Sequence, residues 1–294
     1  MAQEEINLIG YASGIAGADV KCGAAPLFLQ KLPVLTSKQW AAVIHPVNDT
    51  SLRIDERIRQ MTETLAKQVS QLVSKGQTFC VLGGDHSSAI GTWSGAVTAL
   101  QQKGDIGLIW IDAHMDSHTP ETSLSGRIHG MPLASLLGYG YPTLTSILSA
   151  TPKLKPENVC LIGTRSFEAG EAALLKRLNV KIYFMEEVKE RGFDTVWREA
   201  VQLVNQRTIG YGISLDLDSI DPSEAPGVDV PEPDGVSAID VAAALNSSAQ
   251  DTRLIGTEIV EFDPSRDKNN MTEKLVLSFL NILEKGRQAL RSNA

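Results

Sequence analysis

Gly107-Leu108-Ile109-Trp110-Ile111-Asp112-Ala113-His114-Met115-Asp116 begins as five residues without a charge and ends with carboxylate and imidazole at alternate positions. The apolar half is short, β-branched and aromatic, which reads as a strand buried on both faces, and the polar half marks its carboxyl end. Counting this one at 106–112, such stretches recur at 7–12, 41–45, 78–83, 158–163, 180–184, 209–217 and 254–261. Between them, 52–75, 87–102, 131–138, 168–178, 193–206, 237–246 and 271–291 carry apolar residues near helical period. Strand alternating with helix predicts a three-layer α/β/α sandwich around a mostly parallel, roughly eight-stranded sheet. Ligands in such sheets bind beyond the carboxyl ends of the strands. The chain shows no internal repeat, low-complexity segment or linker, so a single domain over 1–294 is expected, with Pro222 to Gly235 as one long loop.

The polar motifs sit where that rule points. His86 follows Cys80-Val81-Leu82-Gly83-Gly84, Asp216 ends Tyr211-Gly212-Ile213-Ser214-Leu215, and Glu261 ends Ile255-Gly256-Thr257-Glu258-Ile259-Val260. If the strand continued through Asp112-Ala113-His114-Met115-Asp116, its alternate side chains would point one way and three ligands would converge from five residues. Asp216-Leu217-Asp218 repeats that spacing. Each motif alone has a bland reading, as a helix cap, a solvated pair or a core histidine, but their joint occurrence points to metal. Carboxylate and imidazole without thiolate suit Mn²⁺, Fe²⁺, Co²⁺ or Ni²⁺ better than a Cys-rich structural zinc site. His86, Asp112, His114, Asp116, Asp216 and Asp218 exceed what one open-sited ion needs, so two ions are expected. The four aspartates would then be neutralised by two divalent cations rather than left to repel one another. His129, in a flexible strip leading into a helix, is a candidate proton shuttle because imidazole titrates near neutrality. Glu261 is a carboxylate that could grip a guanidinium group through two parallel hydrogen bonds.

Composition narrows the function classes. With 35 acidic and 27 basic residues the net charge is -8, which argues against general attraction to nucleic acid or an anionic membrane and tolerates a cationic substrate. No apolar run reaches the ~18 residues of a membrane span. The acidic opening Met1-Ala2-Gln3-Glu4-Glu5 lacks the pattern of a secretory signal, so a cytoplasmic location is expected. Cys22, Cys80 and Cys160, odd in number and far apart, read as reduced core thiols.

The strings Gly83-Gly84-Asp85-His86-Ser87, Asp112-Ala113-His114-Met115-Asp116, Ser214-Leu215-Asp216-Leu217-Asp218-Ser219-Ile220-Asp221-Pro222 with Ala225-Pro226-Gly227, and Glu258-Ile259-Val260-Glu261-Phe262 together resemble the ureohydrolase superfamily. That superfamily holds arginases, agmatinases and formiminoglutamases, and the strings span most of the chain in order and spacing. The resemblance implies two Mn²⁺, with Co²⁺ or Ni²⁺ as possible substitutes. His86, Asp112, Asp116 and Asp216 would hold one ion and His114, Asp112, Asp216 and Asp218 the other, Asp112 and Asp216 bridging. It further implies attack of a metal-bridging hydroxide on a guanidinium carbon, with Asp218 managing the nucleophile's proton, His129 protonating the leaving amine and Glu261 anchoring the guanidinium. A homotrimer or homohexamer is implied as well.

Within the superfamily, Ser117 to Pro132 is similar to the arginase loop that reads the amino-acid end of the substrate, which places His118, Ser125 and Arg127 among the substrate contacts. Gly163-Thr164-Arg165-Ser166-Phe167-Glu168-Ala169-Gly170-Glu171 resembles the arginase segment that meets the α-amino group, with Glu168 at the contact position. Departures cluster there: arginases carry Asn at the positions of His118 and Arg127, Asp at Glu168, and a Thr-Gly-Thr-Pro run where Val228-Asp229-Val230-Pro231 stands. L-Arginine, cleaved to ornithine and urea, is the expected substrate; agmatine or another guanidino or formimino acid is the alternative. A related single-zinc deacetylase would need fewer ligands, and a binding protein that had lost catalysis would lack a ligand or the shuttle. None is missing.

Overall fold

The computed structural model describes residues 6–292; the acidic opening and the last two residues lie outside the described part. Every expected strand is present: β1 (Asn7–Tyr11), β2 (Trp40–Ile44), β3 (Phe79–Gly83), β4 (Gly107–Ile111), β5 (Val159–Thr164), β6 (Lys181–Phe184), β7 (Tyr211–Asp216) and β8 (Leu254–Val260). They form one sheet in the order β2-β1-β3-β8-β7-β4-β5-β6. Every pairing is parallel, so the sheet is more uniform than the mostly parallel one expected.

Alternation along each strand builds two cores. Leu108 and Trp110 of β4, Phe79 and Val81 of β3, and Val159 and Leu161 of β5 face the helices Ile54–Ser74 and Ser88–Leu100. Ile109 and Ile111, Cys80 and Leu82, and Cys160 and Ile162 face Phe193–Asn205, Ala238–Ala249 and Met271–Ser292. A strand buried on both faces has no polar side to spare, which is why these segments read as unbroken apolar runs. Each fully buried aliphatic side chain contributes ~1.5–3 kcal/mol relative to exposure. The Ile54–Ser74 helix shows the complementary pattern: Ile58, Met61, Leu65, Val69 and Leu72 form its buried stripe, and Asp55 and Glu56 in its first turn complement the helix dipole. Gly212 of β7 is required by packing, since a Cβ there would lie 2.0 Å from the Trp93 ring. Among the described residues no helix is long and apolar enough to cross a membrane.

This topology leaves a crevice. After β3 the chain crosses to β4, and the gap between them is filled much later by β8 and β7. The carboxyl ends of four adjacent strands, β3-β8-β7-β4, therefore meet at the point where the strand order reverses, the usual ligand site of open α/β sheets.

Candidate metal centre

The turn after β3 is fixed by backbone approach. Gly84 donates its N–H to Tyr11 O and Asp85 donates to Ser13 O, both at 2.8 Å, and a Cβ on Gly84 would sit 2.1 Å from Ser13 O. Only glycine fits. Asp85 turns away from the centre and ties the β1 loop to the turn: its carboxylate accepts from Ser87 N at 3.0 Å and Ala16 N at 3.1 Å. His86 is thereby aimed inward.

The other two motifs converge by turning, not by continuing as strands. β4 stops at Ile111, the Asp112 carboxylate accepts from His114 N at 2.7 Å, and Asp116 adopts a left-handed backbone with φ 48°. This corrects the expectation that alternation along an extended chain would align the three ligands. After β7, the Asp216 carboxylate likewise accepts from Asp218 N at 2.9 Å and opens a short 3₁₀ turn over Leu217–Ser219. Carboxylates folded back onto nearby N–H groups hold the turn and keep their other lone pairs for the centre. Arg165 locks the second turn from outside by donating to the carbonyls of Asp218, Ser219, Gly163, Glu232 and Pro233.

The six side chains that the sequence marks as candidate ligands come together. His86 Nδ1 lies 3.3 Å from Asp112 Oδ2, 3.1 Å from Asp116 Oδ2 and 3.1 Å from Asp216 Oδ2. His114 Nδ1 lies 3.4 Å from Asp112 Oδ1 and 3.1 Å from Asp218 Oδ2. His86, Asp112 and Asp216 form one compact donor group and Asp112, His114 and Asp218 another. Asp112 belongs to both, one oxygen facing each side, while Asp216 belongs to the first group.

Electrostatics argue that the cluster is shaped for cations. The four aspartates are buried to 7% exposure or less. Burial, then repulsion from Asp218 and Asp112, pushes Asp216 well above the usual carboxylate range; burial and Asp112 push Asp116 up to about 7. Burial works against protonation of His86, yet Asp112, Asp116 and Asp216 outweigh it and hold the imidazole well above its ordinary value. Three carboxylate oxygens surround one ring nitrogen that has at most one proton to give. A divalent cation satisfies them all at once, and Asp112 fits a second ion on its other side.

A buried polar layer backs the ligands. His86 Nε2 lies 2.9 Å from Ser214 Oγ, which donates to Glu258 Oε2 at 2.9 Å; Ser88 and Thr92 hydroxyls donate to Glu258 Oε1, each at 2.7 Å. Trp110 stacks on the His86 ring with centroids 4.2 Å apart and donates from Nε1 to Asp112 at 2.8 Å. Ser214, Glu258 and Trp110 have no role legible in the sequence, because single polar or aromatic residues inside apolar strands carry no spacing signal.

Above the centre opens a cavity of about 280 Å³ lined by the expected substrate residues His118, Ser125, Arg127 and Glu168, together with His129 and Glu261. Glu261, with φ 65°, accepts from His86 N at 2.8 Å through Oε1, while its buried Oε2 has no hydrogen-bond partner. His129 Nδ1 stands 3.5 Å from Glu261 Oε1. Burial disfavours the charged imidazole, but Glu261 overrides it and raises His129 to about 9. His118 bonds Thr122 Oγ1 at 3.2 Å and faces Glu168 at 3.5 Å and Glu171 at 3.7 Å; Ser125 and Arg127 are exposed at the rim. Two lining carboxylates were not anticipated. Glu171 sits under His118, and Glu232 accepts from Ser166 Oγ at 3.0 Å and lies 3.7 Å from His114 Nε2.

Comparison with known proteins agrees with this geometry. The model of the Arginase family matches residues 30–283. An arginase of Bacillus caldovelox is 41% identical over 240 residues, covering 82% of this chain and 79% of that protein. Among solved structures, Bacillus cereus arginase superposes with a TM-score of 0.87 at 33% identity, over 95% of this chain and 98% of that one. The native Bacillus caldovelox arginase structure gives 0.85 at 35% identity with the same coverage.

Proposed function

The chain belongs to the arginase family, and from that premise we propose that it hydrolyses L-arginine to ornithine and urea with two divalent metal ions. The observation that supports this reading is the meeting of six imidazole and carboxylate side chains with Glu261 at the ends of four adjacent strands, under a cavity that His129 also lines. His86, Asp112, Asp116 and Asp216 would hold one Mn²⁺; His114, Asp112 and Asp218 would hold the other, with Asp216, which the structure groups with His86, as its fourth donor. When bound, such ions supply Lewis acidity that brings the pKa of water toward neutrality.

The chain's own groups do the rest. Glu261 Oε2, buried and unpartnered, receives the guanidinium and fixes its carbon over the aspartates, so that attack becomes effectively intramolecular. Asp218 takes up the nucleophile's proton. As water adds to the guanidinium carbon and the bond to the alkyl nitrogen breaks, His129 hands that nitrogen a proton; held at about 9, it carries one at neutral pH. Urea and a primary amine leave.

At the far end of the cavity Arg127 faces the substrate carboxylate, His118 and Ser125 line its path, and Glu168 receives the α-ammonium. A cation at the rim favours an amino-acid substrate over agmatine, which has no carboxylate to offer it. The same shell gives another guanidino or formimino acid its opening, because Val230 lines the cavity where a hydroxyl would suit the guanidinium. We further propose a single catalytic domain over the whole chain, a cytoplasmic location and a homotrimer or homohexamer, the last checked by sedimentation.

Metal-reconstituted protein offered arginine, agmatine and formiminoglutamate, with urea, ornithine, putrescine and formamide measured, tests the activity. Urea and ornithine from arginine are expected. Absence of urea from arginine, with turnover of either other compound, would overturn the choice of substrate.

A further inference from the structure

Glu258 is a charged residue in the interior of a central strand, fully buried and outside the substrate cavity. A buried carboxylate is costly unless its acceptors are filled. Here they are filled by hydroxyls: Ser88 and Thr92 donate to Oε1, and Ser214 donates to Oε2. The last of these bonds has a direction with consequences. Ser214 has one proton, and spending it on Glu258 leaves its oxygen only lone pairs to offer His86 Nε2 at 2.9 Å. His86 must then donate from Nε2. A neutral imidazole with its proton on Nε2 has a bare lone pair on Nδ1, the atom that faces Asp112, Asp116 and Asp216.

We propose that Glu258 is a positioning residue that, through Ser214, fixes the tautomer of His86 and thereby prepares Nδ1 to bind a cation. The chain of bonds runs Glu258–Ser214–His86 and ends on one donor group of the two, the one to which His114 does not belong. Trp110 completes the arrangement by stacking on the ring and preventing its rotation. Outer partners of this kind typically control metal affinity by 10–100-fold. The idea rests on the two-metal reading above, and its effect is confined to one metal of the pair.

Glu258→Gln keeps the shape and can reverse the chain. With its amide donating to Ser214, the serine proton turns to His86 Nε2, and the imidazole must carry its own proton on Nδ1. Calorimetric titration of the metal-free protein with Mn²⁺ should show two bound ions for the parent chain. For the Glu258→Gln variant, one site should weaken ~10–100-fold while the other is unchanged, and the coupled two-manganese electron paramagnetic resonance signal should give way to that of isolated ions. Ser214→Ala, which removes the relay without reversing it, should weaken the same site by less. Two sites of parental affinity in Glu258→Gln would overturn the proposal, as would equal weakening of both sites in step with a fall in melting temperature. A parent chain that binds fewer than two ions would instead overturn the two-metal reading.

Discussion

Asp112 places one oxygen on each side of the acidic cluster, whereas Asp116 touches only the His86 side. Replacing them should therefore differ in count. Asp112→Ala is expected to lose both ions and Asp116→Ala one, read as metal per chain after desalting, with turnover falling at least ~100-fold in each, the upper end for outer-shell partners. Equal metal content in the two variants would contradict the shared role of Asp112. Val230 invites the opposite experiment, because restoring a hydroxyl with Val230→Thr adds a neutral hydrogen bond worth ~1 kcal/mol, or roughly fivefold in kcat/KM for a guanidino substrate. No change, or a loss, would show that the hydroxyl does not reach the guanidinium. Five of the six candidate metal-binding residues are legible in the sequence because they come as a triplet, Asp112, His114 and Asp116, and a pair, Asp216 and Asp218, at fixed spacing; His86 stands alone and is marked only by the Gly83-Gly84 turn before it. Glu232 and Glu258 are not legible: one is a loop acid between two prolines, the other a solitary charge in a strand, and each gains meaning only from a partner distant in sequence.

At the scale of elements, the six inner strands are legible to within two residues because burial on both faces demands an unbroken apolar run, and the edge strands β2 and β6, partly exposed, are legible from their short apolar, β-branched composition. The short helices Ala25–Gln30, Pro33–Thr36, Pro142–Thr145 and Met185–Arg191 escaped, being too brief for helical periodicity to emerge. Strand order also escaped, since it is set by crossovers and not by any local pattern. Two expectations follow from the tight, two-sided packing. Gly212→Ala drives a methyl into Trp93 and should cost ~1–3 kcal/mol, as overpacking of cores does, measured by denaturant unfolding. An unchanged midpoint would mean that Trp93 can move. The cysteines should be inert: all three are buried, and burial raises each thiol, Cys80 to about 12, so little thiolate exists at neutral pH. A disulfide reagent such as Ellman's should label none in the native protein and three after unfolding. Rapid native labelling would deny the closed packing around β3, β5 and the short turn Val20–Ala24 that hold the three thiols.

For the molecule as a whole, the centre couples stability to pH and metal together. Asp116 and Asp216 have raised carboxyls in the metal-free fold, so they cost nothing below their ordinary value of 3.8 and grow unfavourable as pH rises toward and past 7. His86 and His114 are also raised, which stabilises the fold fully below their ordinary 6.5 and is lost as pH rises through their folded values. Asp112 is held low, and its contribution is complete above about 3.8. All the changes between about pH 5 and 8 therefore run one way, and the metal-free protein should become less stable across that window. Cations replace the lost protons as neutralisers, and they bind more strongly as the ligands deprotonate. Free Mn²⁺ at a hundred times its dissociation constant stabilises by ~2.7 kcal/mol per site. Melting temperatures recorded in chelator and in excess Mn²⁺ at about pH 5.5, 6.5 and 7.5 should consequently diverge as pH rises, the chelated curve falling while the loaded one holds. A gap that stayed constant or closed toward high pH would mean that the aspartates are not charged against one another in the absence of metal, and the electrostatic case for a paired-cation centre would fail with it.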